Sequence, residues 1–246
     1  MCWSPTADLV AGCAVAAVGV LSVASTRRVR DLPLAALPLL LGAHQIIESV
    51  VWRNADNAAD AGVTHAVGGT AVLLWAIIAL PLLPAFVPLA VLSTASHWSR
   101  LRLMPFALIG SAVAVALAYV LADGPVTATP VGHTMRYGVG RIPLGTLVVL
   151  GYLVATIGSL LASGQAQIRV LGFVTGLGAI VCYALWQAAF VSTWCALAAV
   201  ASALILHWLW RPRKLRRALD LQATDSRAAR SLRRSRSPSA GAPPAR

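Results

Sequence analysis

The chain has 246 residues, of which 58% are hydrophobic and 11% charged, with a formal net charge of +12. Soluble domains are about half apolar and a quarter charged, so this composition excludes a soluble globular domain, a disordered chain and a disulfide scaffold. It predicts an all-α polytopic membrane protein. The basic excess does not point to nucleic acid. Eleven of the 20 Lys and Arg residues lie in residues 211–246, and most of the others fall in short stretches between apolar runs. That is the distribution expected of cytoplasmic retention and contact with anionic lipid.

A membrane span needs about 20 apolar residues. In chain order the apolar runs are Ala7–Ser25, Leu32–Trp52, Thr64–Thr94, Met104–Ala122, Gly145–Ser163, Val170–Phe190 and Ser192–Trp210. No basic region precedes the first run, so it reads as a retained helix and not as a cleaved signal. The third would be roughly 46 Å long as a straight helix at 1.5 Å per residue. That exceeds the ~30 Å hydrocarbon core, and Pro81, Pro84 and Pro88 lie within it. It reads as one long kinked helix, or as a span followed by a short broken segment.

The chain is therefore expected to place seven spans in residues 1–210, followed by a basic, unstructured tail in 211–246. Arg27, Arg28 and Arg30, then Arg100 and Arg102, then Arg169, then the tail all fall on one side of the seven spans. Basic loops face the cytoplasm, which puts the N-terminus outside and the C-terminus inside, in a multi-pass protein of the bacterial plasma membrane. Gly172 and Gly176 form a small-residue pair suited to close helix packing. The segment from Asp123 to Gly145 is long for a connection between spans. Such segments are often binding loops or lids.

Inside the spans, polar residues are scarce. Glu48 is the only glutamate of the chain, and His44 lies one helical turn before it on the same face. An ionisable group within a span is costly and usually faces the bundle interior. These two are the candidate catalytic or central binding residues. The candidate ligand-binding residues around them are Cys2, Asp8, Trp52, His133, Arg136, Tyr137, Trp186, Gln187 and Trp194, all expected at the outer ends of spans or in the Asp123–Gly145 segment. Cys2, once freed at the N-terminus, would present an amine and a thiol together. His207 with Trp208 and Trp210 reads as an inner interfacial belt.

The opening Met-Cys-Trp-Ser-Pro-Thr-Ala-Asp, the Gly42-Ala43-His44-Gln45-Ile46-Ile47-Glu48 segment, the proline-rich Leu80–Val91 stretch and Phe190–Leu197 resemble an uncharacterised, mainly actinobacterial membrane-protein family. Its members open Met-Cys-(Phe/Trp)-Ser, and Pro5 stands where they usually carry Ala. The resemblance covers the seven spans but not the tail. It implies a seven-span bundle and no particular activity.

Three functions fit these residues. In the first, an outer polar pocket around Glu48 and His44 binds a small ligand or ion in a transporter or sensor component. In the second, a membrane-embedded enzyme acts on a lipid or isoprenoid, with Glu48 as general acid in the manner of a terpene cyclase, or with His44, Glu48 and His133 holding a metal. In the third, the polar pair stabilises an assembly. The sequence names no cofactor, no metal and no oligomeric state. A cavity reaching Glu48 from outside would favour the first, one opening sideways to lipid the second, and no cavity the third.

Overall fold

A computed structural model describes residues 4–61, 67–131, 134–185 and 190–210, apart from the side chains of 97–98, 134, 185 and 190–196. Met1–Leu209 forms one compact unit. The basic tail expected to be unstructured lies outside the described residues.

The architecture is helical. Helix α1 spans Pro5–Ala24, and α2 spans Leu32–Asp60 after a short 3-10 turn at Val29–Asp31. Helix α3 runs continuously over Thr70–Thr94, α4 over His97–Asp123 and α5 over Gly145–Leu161. Helix α6 spans Ala166–Leu185 and α7 spans Phe190–Trp210. Among the described residues, five helices are long and apolar enough to cross a membrane: α1, α2 with its leading turn, α3, α4 and α6. Gly145–Leu161 and the Leu197–Trp210 part of α7 are apolar but shorter.

Helix α1 starts where Ser4 caps it, its hydroxyl accepting from the Ala7 amide at 3.2 Å, with Pro5 in the first turn. It pairs with α2 through a glycine seam. A side chain at Gly19 would collide with the Leu39 backbone, one at Gly42 with the Ala16 backbone, and one at Gly12 would sit 2.9 Å from the Ile46 amide nitrogen. The three glycines let the two backbones touch. This antiparallel register puts Asp8 level with Ser49 and Val50. The Gly172–Gly176 pair serves a second contact, with Gly172 against Leu160 and Leu161 and Gly176 against Ile157.

The third helix is continuous, and its regular hydrogen bonding gives way at the first proline to a π-turn at Ile78–Leu82. The Leu83 amide there bonds to the Ile78 carbonyl, five residues back. By the same count the Ala79 carbonyl would need the amide of Pro84, which has none. Tyr152 of α5 supplies the missing donor, its hydroxyl bonding to the Ala79 oxygen at 2.8 Å.

Two boundaries differ from the apolar runs. Helix α2 continues past Trp52 to Asp60, and α4 begins at His97 instead of Met104. Hydropathy marks the stretch suited to lipid, whereas a helix can continue beyond it where strong helix formers recur, as Arg53, Ala55, Ala58 and Ala59 do in Arg53–Asp60. The all-α expectation also needs an addition. The segment between α4 and α5 folds into an antiparallel hairpin, β1 Thr127–Val131 and β2 Thr134–Gly138, with Ala128 opposite Tyr137. Val67 pairs with Ala128 through two 2.8 Å backbone hydrogen bonds. The hairpin is seated on α2 and α3: Ala128 and Met135 pack with Val51, Trp52, Ala55 and Val72.

At the opposite end, the basic connections lie together. The Ser93 hydroxyl donates to the Arg30 carbonyl at 2.7 Å, and Gln165 donates to the Thr94 carbonyl at 3.4 Å. Trp208 donates its indole N–H to Gln165 at 2.9 Å. Trp208 is buried there, so it belongs to the core and not to an interfacial belt. The largest apolar cluster fills this half of the bundle, with Leu34, Val87, Val91, Leu103, Ile168 and Ile205 among its members.

Candidate functional site

Helix α2 buries a stripe at Leu34, Pro38, Gly42, Gln45, Glu48 and Ser49, then Trp52 and Ala55. Their three- and four-residue spacing puts them on one face. Glu48 is fully buried, and Gln45 and Asp8 are nearly so. Because α2 runs on to Asp60, Glu48 lies well inside the helix and not at its end.

The hairpin reaches this stripe through one residue. The Tyr137 hydroxyl donates to Glu48 Oε1 at 3.3 Å. The Tyr137 ring stacks on Trp75 of α3, with centroids 3.4 Å apart and planes within 5° of parallel. On the far side of Trp75 lies His44, its ring centroid 5.0 Å away and tilted by 35°. Tyr137, Trp75 and His44 thus form a short aromatic stack. Glu48 is tied to its hairpin end and sits one turn from His44. Three nitrogens around it, His44 Nε2, Trp52 Nε1 and Trp75 Nε1, are buried with no hydrogen-bond partner among the described residues.

Beneath the stack is a cavity of about 1160 Å³. His44, Gln45 and Trp75 form its polar end, and residues of α2 to α7 complete the wall. Small-molecule sites are commonly about 300–1,000 Å³, so this one is large. It is open on one side, and Phe173, Ile180 and Tyr183 of its α6 wall are 65%, 67% and 65% exposed. A smaller pocket of about 70 Å³ adjoins it and shares Leu41, Leu83, Tyr152 and Ala198.

Of the sequence candidates, the fold brings together His44, Glu48 and Tyr137, with Trp52 one turn beyond Glu48 and Asp8 at the same level across the seam. Arg136 is exposed, since strand alternation turns it away from the face that Met135 and Tyr137 share. Cys2, His133, Trp186 and Gln187 lie outside the described residues, as does the side chain of Trp194 on α7. No group of three or more metal-ligating side chains occurs among the described residues. Sequence reasoning passed over Trp75 and Tyr152. The available signal was position: both are aromatic residues with a polar atom in the middle of an apolar run, not at the interfacial end where such residues are usual.

No curated protein and no solved structure matches this chain. A family profile matches residues 1–220, the helices and the beginning of the tail, consistent with the resemblance to an uncharacterised family. The chain belongs to the family of unknown function DUF6629.

Proposed function

We propose that this is a seven-span membrane protein that binds a ligand in the cavity between its helices, with the polar end at His44 and Gln45. The observation that carries this reading is the cavity itself. A membrane bundle whose polar pair served packing alone would enclose it without a hollow of this size. The gathering of Arg30, Arg100, Arg102 and Arg169 toward one end supports an orientation with that end in the cytoplasm and the hairpin outside. Helix α5, at 17 residues from Gly145 to Leu161, is within the ~17–25 residue range of a span. The tail would meet anionic lipid by its charge.

Binding is favoured over acid catalysis because Glu48 is engaged by Tyr137 and is not part of the cavity wall, whereas His44 is. Transport or sensing would follow from ligand binding, and an assembly role alone would leave the hollow without a purpose.

The test is to measure the lipid extract carried by purified protein, per mole, in wild type and in Ala79→Phe. Ala79 lines the cavity, so the larger ring fills it. The expected result is one species enriched with the wild type and depleted at least fivefold in the variant, at an unchanged melting temperature. Equal complements in two well-folded proteins would overturn the reading.

A further inference from the structure

The geometry points to an uncharged lipid as the ligand: a long or polycyclic apolar body, with at most a neutral oxygen as its head, taken up from the bilayer through the open α5–α6 side. This inference rests on the reading of the cavity as a binding site and adds the ligand's class.

The wall decides the charge. The lining residues include Leu41, Leu80, Leu117, Leu153, Phe173 and Ile180, and among the described residues of the wall none is Asp, Glu, Lys or Arg. A charged head brought into such a wall would lose its hydration with nothing to replace it, a cost that buried ions escape only by pairing. The nearest carboxylate, Glu48, lies outside the wall and already accepts from Tyr137. That excludes inorganic ions, phosphate-bearing lipids and ionised fatty acids as the preferred occupant.

The polar residues at the wall are few: His44, Gln45, Trp75, Tyr152 and the exposed Tyr183. The Tyr152 hydroxyl is committed to the Ala79 carbonyl. His44 Nε2 and Trp75 Nε1 are buried within the ring stack. What the cavity offers is therefore hydrocarbon surface, and the driving force for binding is apolar burial. Such a ligand already resides in the bilayer. The cavity's open side carries Val149 and Leu161 of α5 and Phe173 and Ile180 of α6, all substantially exposed and apolar. A lipid could pass from the hydrocarbon core into the cavity without crossing water.

The experiment uses the full chain in lipid nanodiscs and three probes that share one pyrene-labelled long alkyl chain. One ends in a hydroxyl, one in a sulfonate and one in a quaternary ammonium. Energy transfer from protein tryptophan to pyrene is titrated, and binding is taken as the saturable part that Ala79→Phe removes. Where Ala79→Phe fails to fold, Ala198→Phe, which lines the same cavity, takes its place. The expected result is a hydroxyl probe that binds at least tenfold more tightly than either charged one. A charged probe binding equally or better, and still lost in the variant, overturns the neutral-lipid inference while the cavity remains a binding site. No saturable signal from any probe, or a signal the variant does not change, overturns both.

Discussion

The two halves of the bundle solve the problem of polar groups in a membrane differently. At the basic end, polar side chains bridge helices in sequence: Trp208 to Gln165, Gln165 to the Thr94 carbonyl, Ser93 to the Arg30 carbonyl. Around them the apolar core is continuous. At the hairpin end, the aromatic stack lies over a cavity, and three buried nitrogens have no partner among the described residues. An unsatisfied buried donor or acceptor costs about 1–3 kcal/mol. Near the basic end the Ser22 hydroxyl is also buried without a partner among the described residues, so the two ends differ in degree, with more bare groups gathered beside the cavity. Departures of this kind are expected at functional sites.

That contrast can be broken experimentally, and the largest effect is expected at the satisfied end. Gln165→Leu removes the acceptor of Trp208 and the donor to Thr94 at once, and should cost about 2–3 kcal/mol of stability. It should leave hydroxyl-probe binding unchanged. Thermal melts with probe titration would check it, and a loss of binding without a loss of stability would contradict the division between halves. Tyr137→Phe keeps the ring on Trp75 but removes the hydrogen bond to Glu48, and should cost about 1 kcal/mol. It should also speed hydrogen exchange of the hairpin amides several-fold. Unchanged exchange would show that the hairpin is held without Glu48. His44→Phe keeps a ring beside Trp75 and removes both the bare Nε2 and a backbone hydrogen bond with Trp75, so relief and loss offset and stability should change by less than about 1 kcal/mol. A drop of several times that size would reveal a partner for Nε2 and remove one of the three bare groups.

Much of the helical layout was legible in the sequence because apolar runs of about the length of a bilayer crossing stand out from the polar connections. The seven apolar runs each correspond to one helix, and the first proline of α3 marks its π-turn. Glu48 and His44 stood out because ionisable residues are rare in such runs. The hairpin was harder to see. Its Thr127, Thr129 and Val131 alternate with Ala128 and Pro130, a weak strand pattern that gains its meaning only from the α2 and α3 ends it covers. Trp75 was hidden for a related reason. A tryptophan in an apolar run is unremarked until a tyrosine from a distant segment lies flat upon it. The extent of α2 was misjudged because its last turns are polar, and hydropathy reports the bilayer's edge and not the helix's.

The glycine seam between α1 and α2 has a consequence for how the protein is made. Its contacts join residues close in sequence, and all of them are available once about Asp60 has been synthesised. Early and local contacts form fastest. The first two helices can therefore enter the bilayer as a closed pair, with Asp8 turned inward beside Gly12, Val15, Gly19 and Ser22, and one ionisable group withdrawn from lipid before the helices that enclose the cavity exist. A side chain placed at Gly19 or Gly42 would disturb the order of assembly before it disturbed any finished site.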